Sequence, residues 1–366
     1  MPPAEHRQNN FDALRLVAAL CVVVSHQFAL NGLHEPAVFG VHSVGGLGVL
    51  IFFSISGFLV AGSWQADPNA WRFLARRLLR IWPGLAVAVA LVALVLGPMV
   101  SSLSLNEYYA QPMVRAYFKI LLFNIRDALP LRFDGNALPT AINGPLWTIP
   151  LEVKCYLVLL VLGLAGLVSR RWRWLLLAVT LATAVFYCVG NPDGGGWRTP
   201  YDYLVTRRYP VEFGLFFFAG TAFQLFRVDQ DRRRMALALA GCVVLAGVAL
   251  AAGHPLLALW LAVPAGVVAT GTASTPYLRR AGRLGDLSYG MYIYAFPVQQ
   301  TTIWLIRDRL PWAAGLLLVV ATTALLAFAS WHLVERRALR LKPKGRAQRS
   351  RAGEEAQRPA VVEARP

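Results

Sequence analysis

His26 sits deep in an apolar stretch that begins at Phe11, and Asp12 and Arg15 precede it in the same stretch. An ionisable side chain inside a membrane helix is costly and marks function by default. In a helix that turns about 100° and rises about 1.5 Å per residue, Arg15 and His26 return to within roughly 20° of one face, about 16 Å apart. Asp12 falls within about 40° of that stripe. An imidazole can take or give a proton near neutral pH, and a guanidinium can hold an anion. A second acid, Glu152, opens another apolar run at Asn143-Gly144-Pro145-Leu146-Trp147-Thr148-Ile149-Pro150-Leu151-Glu152-Val153-Lys154-Cys155-Tyr156. Lys154 lies about 160° around the helix from Glu152 and belongs to another face.

These groups need helices to carry them, and the composition supplies little else. Hydrophobic residues make up 57% of the chain, charged ones only 15%, and the mean hydropathy of +0.49 is wrong for a soluble domain of this length. The expected fold is all-α, a polytopic membrane helical bundle of about ten transmembrane helices, since a crossing takes roughly 20 apolar residues. The stretches fall near 11–30, 45–63, 81–100, 146–168, 172–190, 209–226, 235–252, 255–273, 284–305 and 312–334. The segment from Met113 to Asn124, interrupted by Arg115 and Lys119, reads as interfacial or re-entrant. Residues 1–335 form the membrane domain, and 336–366 a disordered basic tail.

Lys and Arg concentrate in alternate loops, at Arg72, Arg76, Arg77 and Arg80, at Arg170, Arg171 and Arg173, at Arg227 and Arg232 to Arg234, and at Arg279, Arg280 and Arg283. Cytoplasmic loops carry such an excess, so both termini are expected on the cytoplasmic side of a bilayer. That bias and the tail account for the net charge of +17 without a nucleic-acid partner. Cys21, Cys155, Cys188 and Cys242 lie in predicted helices, and no metal-ligand spacing is present. In this orientation His26 lies towards the outer face, and Glu152, about 10 Å in from the start of its helix, falls at similar depth. A carboxylate and an imidazole so placed are candidates for an acid/base pair. The plainer alternative is one buried ion pair that holds two helices together.

Five segments together resemble the membrane acyltransferase-3 family. They are Arg15 with His26, the run Gly48-Val49-Leu50-Ile51-Phe52-Phe53-Ser54-Ile55-Ser56-Gly57-Phe58, Arg76-Arg77-Leu78-Leu79-Arg80-Ile81-Trp82-Pro83, Leu146 to Glu152, and Leu284-Gly285-Asp286-Leu287-Ser288-Tyr289-Gly290-Met291-Tyr292. Their order and their spread make the match specific where one alone would be weak. The resemblance implies a ten-helix protein of the bacterial inner membrane. Such proteins move acyl groups, mostly acetyl, from cytoplasmic acyl-CoA to surface carbohydrates such as lipopolysaccharide, exopolysaccharide or nodulation factors. Two positions depart from the family: Ala295 stands where a second His is frequent, and Arg336-Arg337 follow Glu335 in place of Lys-Pro.

The resemblance also implies roles. Acetyl-CoA is the expected donor, with no metal. His26 acts as general base or as a transient acyl carrier, assisted by Arg15, Asp12 and Glu152. Arg76, Arg77 and Arg80 suit the phosphates of the donor, and Ser288, Tyr289 and Tyr292 can touch it. Against this, the arginines need be no more than topology signals, and the tyrosines no more than an aromatic belt. Ser54, Ser56 and Gly57 either flank a tunnel, supply an oxyanion donor, or allow close packing. Trp147 and Tyr156 are assigned to the carbohydrate acceptor. Long outer loops with Tyr108, Tyr109, Arg126, Asp127, Arg132, Asp134, Trp197, Asp202 and Tyr203 suit a sugar surface. A small secreted metabolite such as a macrolide is the alternative acceptor. From another class, an ion-coupled or polysaccharide transporter also puts polar residues into a helical bundle.

Overall fold

The computed structural model describes residues 9–125, 128–190, 208–306 and 309–343. Arg126, Asp127, Trp197, Asp202, Tyr203 and the tail beyond Pro343 lie outside the described residues. Ten long helices occur among those described: α1 (Phe11–Leu30), α2 (Val44–Ala66), α3 (Ala70–Val100), α4 (Thr148–Leu164), α5 (Arg173–Gly190), α6 (Arg208–Phe226), α7 (Arg232–Ala251), α8 (Pro255–Thr272), α9 (Ser288–Ile306) and α10 (Trp312–Ser330). Eight of them are long and apolar enough to cross a bilayer. The two exceptions, α6 and α9, have the same length but bury Thr221, Glu212, Gln299 and Gln300 against other helices. A helix surrounded by protein can be less apolar than one that faces lipid. The protein is a polytopic helical membrane protein, and its one described sheet is the hairpin Ala37–Val38 with His42–Ser43.

The sequence puts the third helix at residue 81, yet α3 starts at Ala70, where Asn69 accepts the amide of Arg72. Arg72, Arg76, Arg77 and Arg80 are therefore helical residues, and good helix formers, rather than a loop. At the same end of the bundle, Asp67 after α2 binds Arg72 at 2.6 Å and Arg76 at 2.6 Å. We call this the basic end and the opposite one, where β1–β2 lies, the hairpin end. Arg72 first and Arg76 with it hold the Asp67 carboxyl down at about 2. A lowered carboxylate contributes stability in full above its unfolded value of about 4, and that contribution disappears as pH falls towards 2. Thermal unfolding in detergent is expected to show this acid loss between those limits, and Asp67→Asn to flatten it.

Three helices meet through missing side chains. A Cβ at Gly48 would lie 2.4 Å from the carbonyl oxygen of Ala18, so α1 and α2 touch backbone to backbone. Across the other side of α2, a Cβ at Gly57 would lie 1.8 Å from the Phe217 carbonyl oxygen, and one at Gly220 would lie 2.2 Å from that of Ser54. Gly57→Ala is therefore expected to force α2 and α6 apart, at a cost of about 1–3 kcal/mol or more. An unfolding midpoint equal to wild type would refute that contact.

The 105–122 segment, which overlaps the Met113 to Asn124 stretch read as interfacial or re-entrant, forms broken helical turns, Leu105–Ala110, Pro112–Tyr117 and Phe118–Leu122. Tyr108 donates to the Ala93 carbonyl at 2.9 Å, and Trp82 donates to that of Leu121 at 3.2 Å. The segment thus descends along α3 by about three turns. In α9, Pro297 has no N–H for the Ile293 carbonyl, and Asn143 donates to that oxygen at 2.9 Å instead. The same bond ties the entry of α4 to α9.

Candidate active site

A cavity of about 120 Å³ lies between α1, α2, α3, α4 and α9. Arg15, Ser56, Arg77, Arg80, Glu152, Tyr156, Ser288, Tyr289 and Tyr292 all line it, which brings together most of the residues singled out from sequence. Thr148 completes its far end. Glu152 accepts hydrogen bonds from Ser56 at 2.8 Å and from Tyr156 one turn away. Arg77 lies over the Tyr156 ring, 5.9 Å from its centroid.

Asp286 organises the basic end. It binds Arg80, and Arg15 approaches it at 3.3 Å. Arg15 also holds Asp12 at 2.6 Å. The other oxygen of Asp286 accepts the Ser288 hydroxyl at 2.5 Å and the Ser288 amide at 3.3 Å, so the residue caps α9 as it fixes two guanidinium groups. Gly285 before it has φ +109°, a left-handed value suited to glycine. Any side chain there would run into the Trp331 indole.

At the other end, the Tyr292 and Thr148 hydroxyls stand 2.6 Å apart, and Tyr292 donates to the Pro145 carbonyl at 3.0 Å. Phe52 meets the Tyr292 ring edge-on. One turn beyond Tyr292 on α9 comes Phe296, whose ring packs edge-on against the half-buried His26 at 5.2 Å. Gln299 donates to the Val23 carbonyl at 2.8 Å and to Gln27 at 2.9 Å, while Arg15 near the start of α1 meets Asp286 just before α9, so α1 and α9 run parallel. His26 is level with Phe296, and Thr148 is level with Tyr292. Glu152 lies one turn from Thr148 towards the basic end. Imidazole and carboxylate are therefore about 12 Å apart along the bundle. The expected equal depth of His26 and Glu152 does not hold, because α4 starts partway along the bundle: Asn143 at its entry bonds to Ile293 inside α9, three residues short of the Phe296 that meets His26.

Other expected positions fall outside the cavity lining. Ser54 is fully buried and donates to the Leu50 carbonyl at 2.8 Å, and Gly57 serves the α2–α6 contact. Arg76 turns to Asp67 and to the Pro343 carbonyl at 3.2 Å, away from Arg77 and Arg80. Asp12 reaches the site only through Arg15. Trp147 packs on Tyr209 and Phe213. Tyr156, grouped with the acceptor by sequence, sits beside Arg77 on the basic side.

Sequence reading passed over Asp286, although it is the lone acid of the Leu284 to Tyr292 segment. It also passed over Glu335, which is buried in a π-turn and accepts from Ser330 at 2.8 Å. A third omission is the buried pair His42 and Glu212 at 2.7 Å, where Tyr187 donates to the same carboxylate at 3.1 Å. Glu212 carried the signal that identified Glu152, an acid inside an apolar run. Among the described residues, no three His, Cys, Asp or Glu side chains gather to hold a metal ion.

A family model described as an acyltransferase domain matches residues 8–331. The chain is 32% identical over 93% of its length to an O-acetyl transferase of Shigella phage Sf6, covering 98% of that protein. It is 30% identical, again over 93%, to Nodulation protein 10 of Rhizobium leguminosarum bv. viciae, covering 96% of it. No solved structure matches. Near-complete coverage by the model and by both relatives, together with the helical membrane fold, means that the chain belongs to the acyltransferase-3 family and is a membrane O-acyltransferase.

Proposed function

We propose that the protein moves an acyl group, acetyl foremost, from cytoplasmic acyl-CoA through the inner membrane to a hydroxyl of a cell-surface or exported carbohydrate. The observation that carries this reading is the order of groups along one line. Three guanidinium groups, Arg15, Arg77 and Arg80, lie at the basic end, hydroxyls of Ser56, Tyr156, Thr148 and Tyr292 follow, and His26 lies beyond them. Cations at one end suit the phosphates of a nucleotide thioester, and the positive excess of the neighbouring segments favours a cytoplasmic position for that end and for both termini. The name of the phage O-acetyl transferase agrees with acetyl transfer to an oxygen acceptor.

His26 then takes the proton of the acceptor hydroxyl as its oxygen forms the new C–O bond to the acyl carbon. The C–S bond breaks, and the thiolate of CoA leaves and is protonated. Glu152 belongs to the donor end, where it holds the Ser56 and Tyr156 hydroxyls in place. The thioester reaches His26 only past the Tyr292–Thr148 pair and Phe296, so these side chains must move in each cycle.

The test supplies labelled acetyl-CoA to the cytoplasmic face of membrane vesicles from a host that exports a hydroxyl-rich glycan. Ester-linked label on the glycan at the opposite face supports the proposal. No label in the presence of folded protein would overturn it, and glycan trapped inside without the protein would favour transport.

A further inference from the structure

A second hollow, apolar and about 690 Å³ in volume, runs between α3 and α4 on the lipid-facing side of the bundle. Leu74, Leu78, Val153, Leu157 and Phe123 wall it, and Leu78 and Leu157 are exposed. From Trp71 to Ile81 it follows α3 for about 15 Å, the depth of one leaflet of a bilayer core. It adjoins the candidate active site, and Arg77, Ile81 and Tyr156 line both.

The junction holds a cation that forms no ion pair among the described residues. Arg72 and Arg76 are bound to Asp67, and Arg15 and Arg80 to Asp286. Arg77 makes no ion pair or hydrogen bond among the described residues; its Nε is buried and unsatisfied, it lies over the face of Tyr156, and Glu152 lines the same cavity near enough to act on its charge. A buried, unsatisfied guanidinium is costly unless something completes it. The hollow therefore combines a hydrocarbon slot with an unsatisfied hydrogen-bond donor, on the wall that the slot shares with a polar cavity.

We propose that this groove seats the hydrocarbon chain of a long-chain acyl-CoA, with its thioester at the edge of the polar cavity and the thioester carbonyl oxygen accepting from Arg77. The inference rests on the donor reading above and widens it, since the site then takes chains beyond acetyl. A single channel between two helices fits one chain, and the residues it shares with the cavity stand where a thioester must go. A bilayer phospholipid has no group that needs to enter there.

The test uses the full chain in phosphatidylcholine vesicles and a palmitoyl-CoA with a photoreactive diazirine at its chain end. Label on the peptides around Leu74–Ile81 and Val153–Leu157 is expected. It should fall about tenfold with excess acetyl-CoA and about tenfold in Arg77→Gln, the loss typical of a contact to a charged group. Should Arg77→Gln fail to fold, competition in the wild-type chain still decides. Label scattered over the bundle, or groove label that acetyl-CoA does not displace, would overturn the proposal. So would a diazirine phosphatidylglycerol that occupies the groove and yields none of it to palmitoyl-CoA. Binding of radiolabelled acetyl-CoA to the same vesicles separates the two readings. If it binds while the groove stays unlabelled, this inference fails and the donor reading stands; if neither binds, both fail.

Discussion

His26→Ala is expected to lower acyl transfer by about 10²–10⁴-fold, the usual contribution of a positioned acid/base group, while the affinity for acetyl-CoA stays at its wild-type value. The split follows from position. His26 lies beyond Tyr292 and Phe296, and the arginines that suit the donor lie on the other side of them. Its ring is half-buried against Phe296 and fills no central core position, so truncation leaves the bundle assembled. Glu152→Gln gives the contrasting result. The amide oxygen can still accept from Ser56 and Tyr156, but the charge beside Arg77 is gone, and the change appears in KM for the donor. Both variants are measured in reconstituted vesicles, with kcat and donor KM determined separately. Undiminished turnover in His26→Ala at equal protein level would remove the imidazole from the chemistry.

Helices were legible here because each is a long stretch dominated by apolar residues, and Arg15 with His26 on one face followed from helical pitch alone. Lateral neighbours were not legible. Nothing in the spacing says that Arg80 of α3 and Arg15 of α1 converge on Asp286, which sits in the linker before α9. The depth of Glu152 was misplaced for a physical reason: counting from the first residues of a helix assumes that they lie at the membrane surface. Asn143 instead lies inside, occupied with the carbonyl that Pro297 frees. Gly57 illustrates a weaker limit. A glycine in an apolar helix announces a close approach, but only the packed bundle identifies the Phe217 carbonyl as what approaches.

Asp286→Ala is expected to cost about 3–5 kcal/mol of stability, because it leaves Arg80 and Arg15 facing each other across a partly desolvated site with one anion fewer. The carboxylate side chain is 13% exposed and its two partners 23% and 20%, so water screens the change only in part. Arg15 keeps Asp12, whereas Arg80 loses its only ion-pair partner among the described residues. Asp286→Asn separates charge from capping. The amide oxygen can still accept from the Ser288 amide and hydroxyl, so helix α9 retains its start while the arginines lose their anion. A double variant, Arg80→Met with Asp286→Met, removes both charges and is expected to recover much of the stability, since an apolar pair of similar size is commonly as stable as a buried ion pair. It should not recover transfer, because Arg80 lines the cavity where the donor anion is proposed to sit. Thermal unfolding in detergent and donor KM in vesicles measure the two effects independently. If Asp286→Ala unfolds at the wild-type midpoint, the acid does not hold the arginines together, and the line from the basic end to His26 needs another organiser.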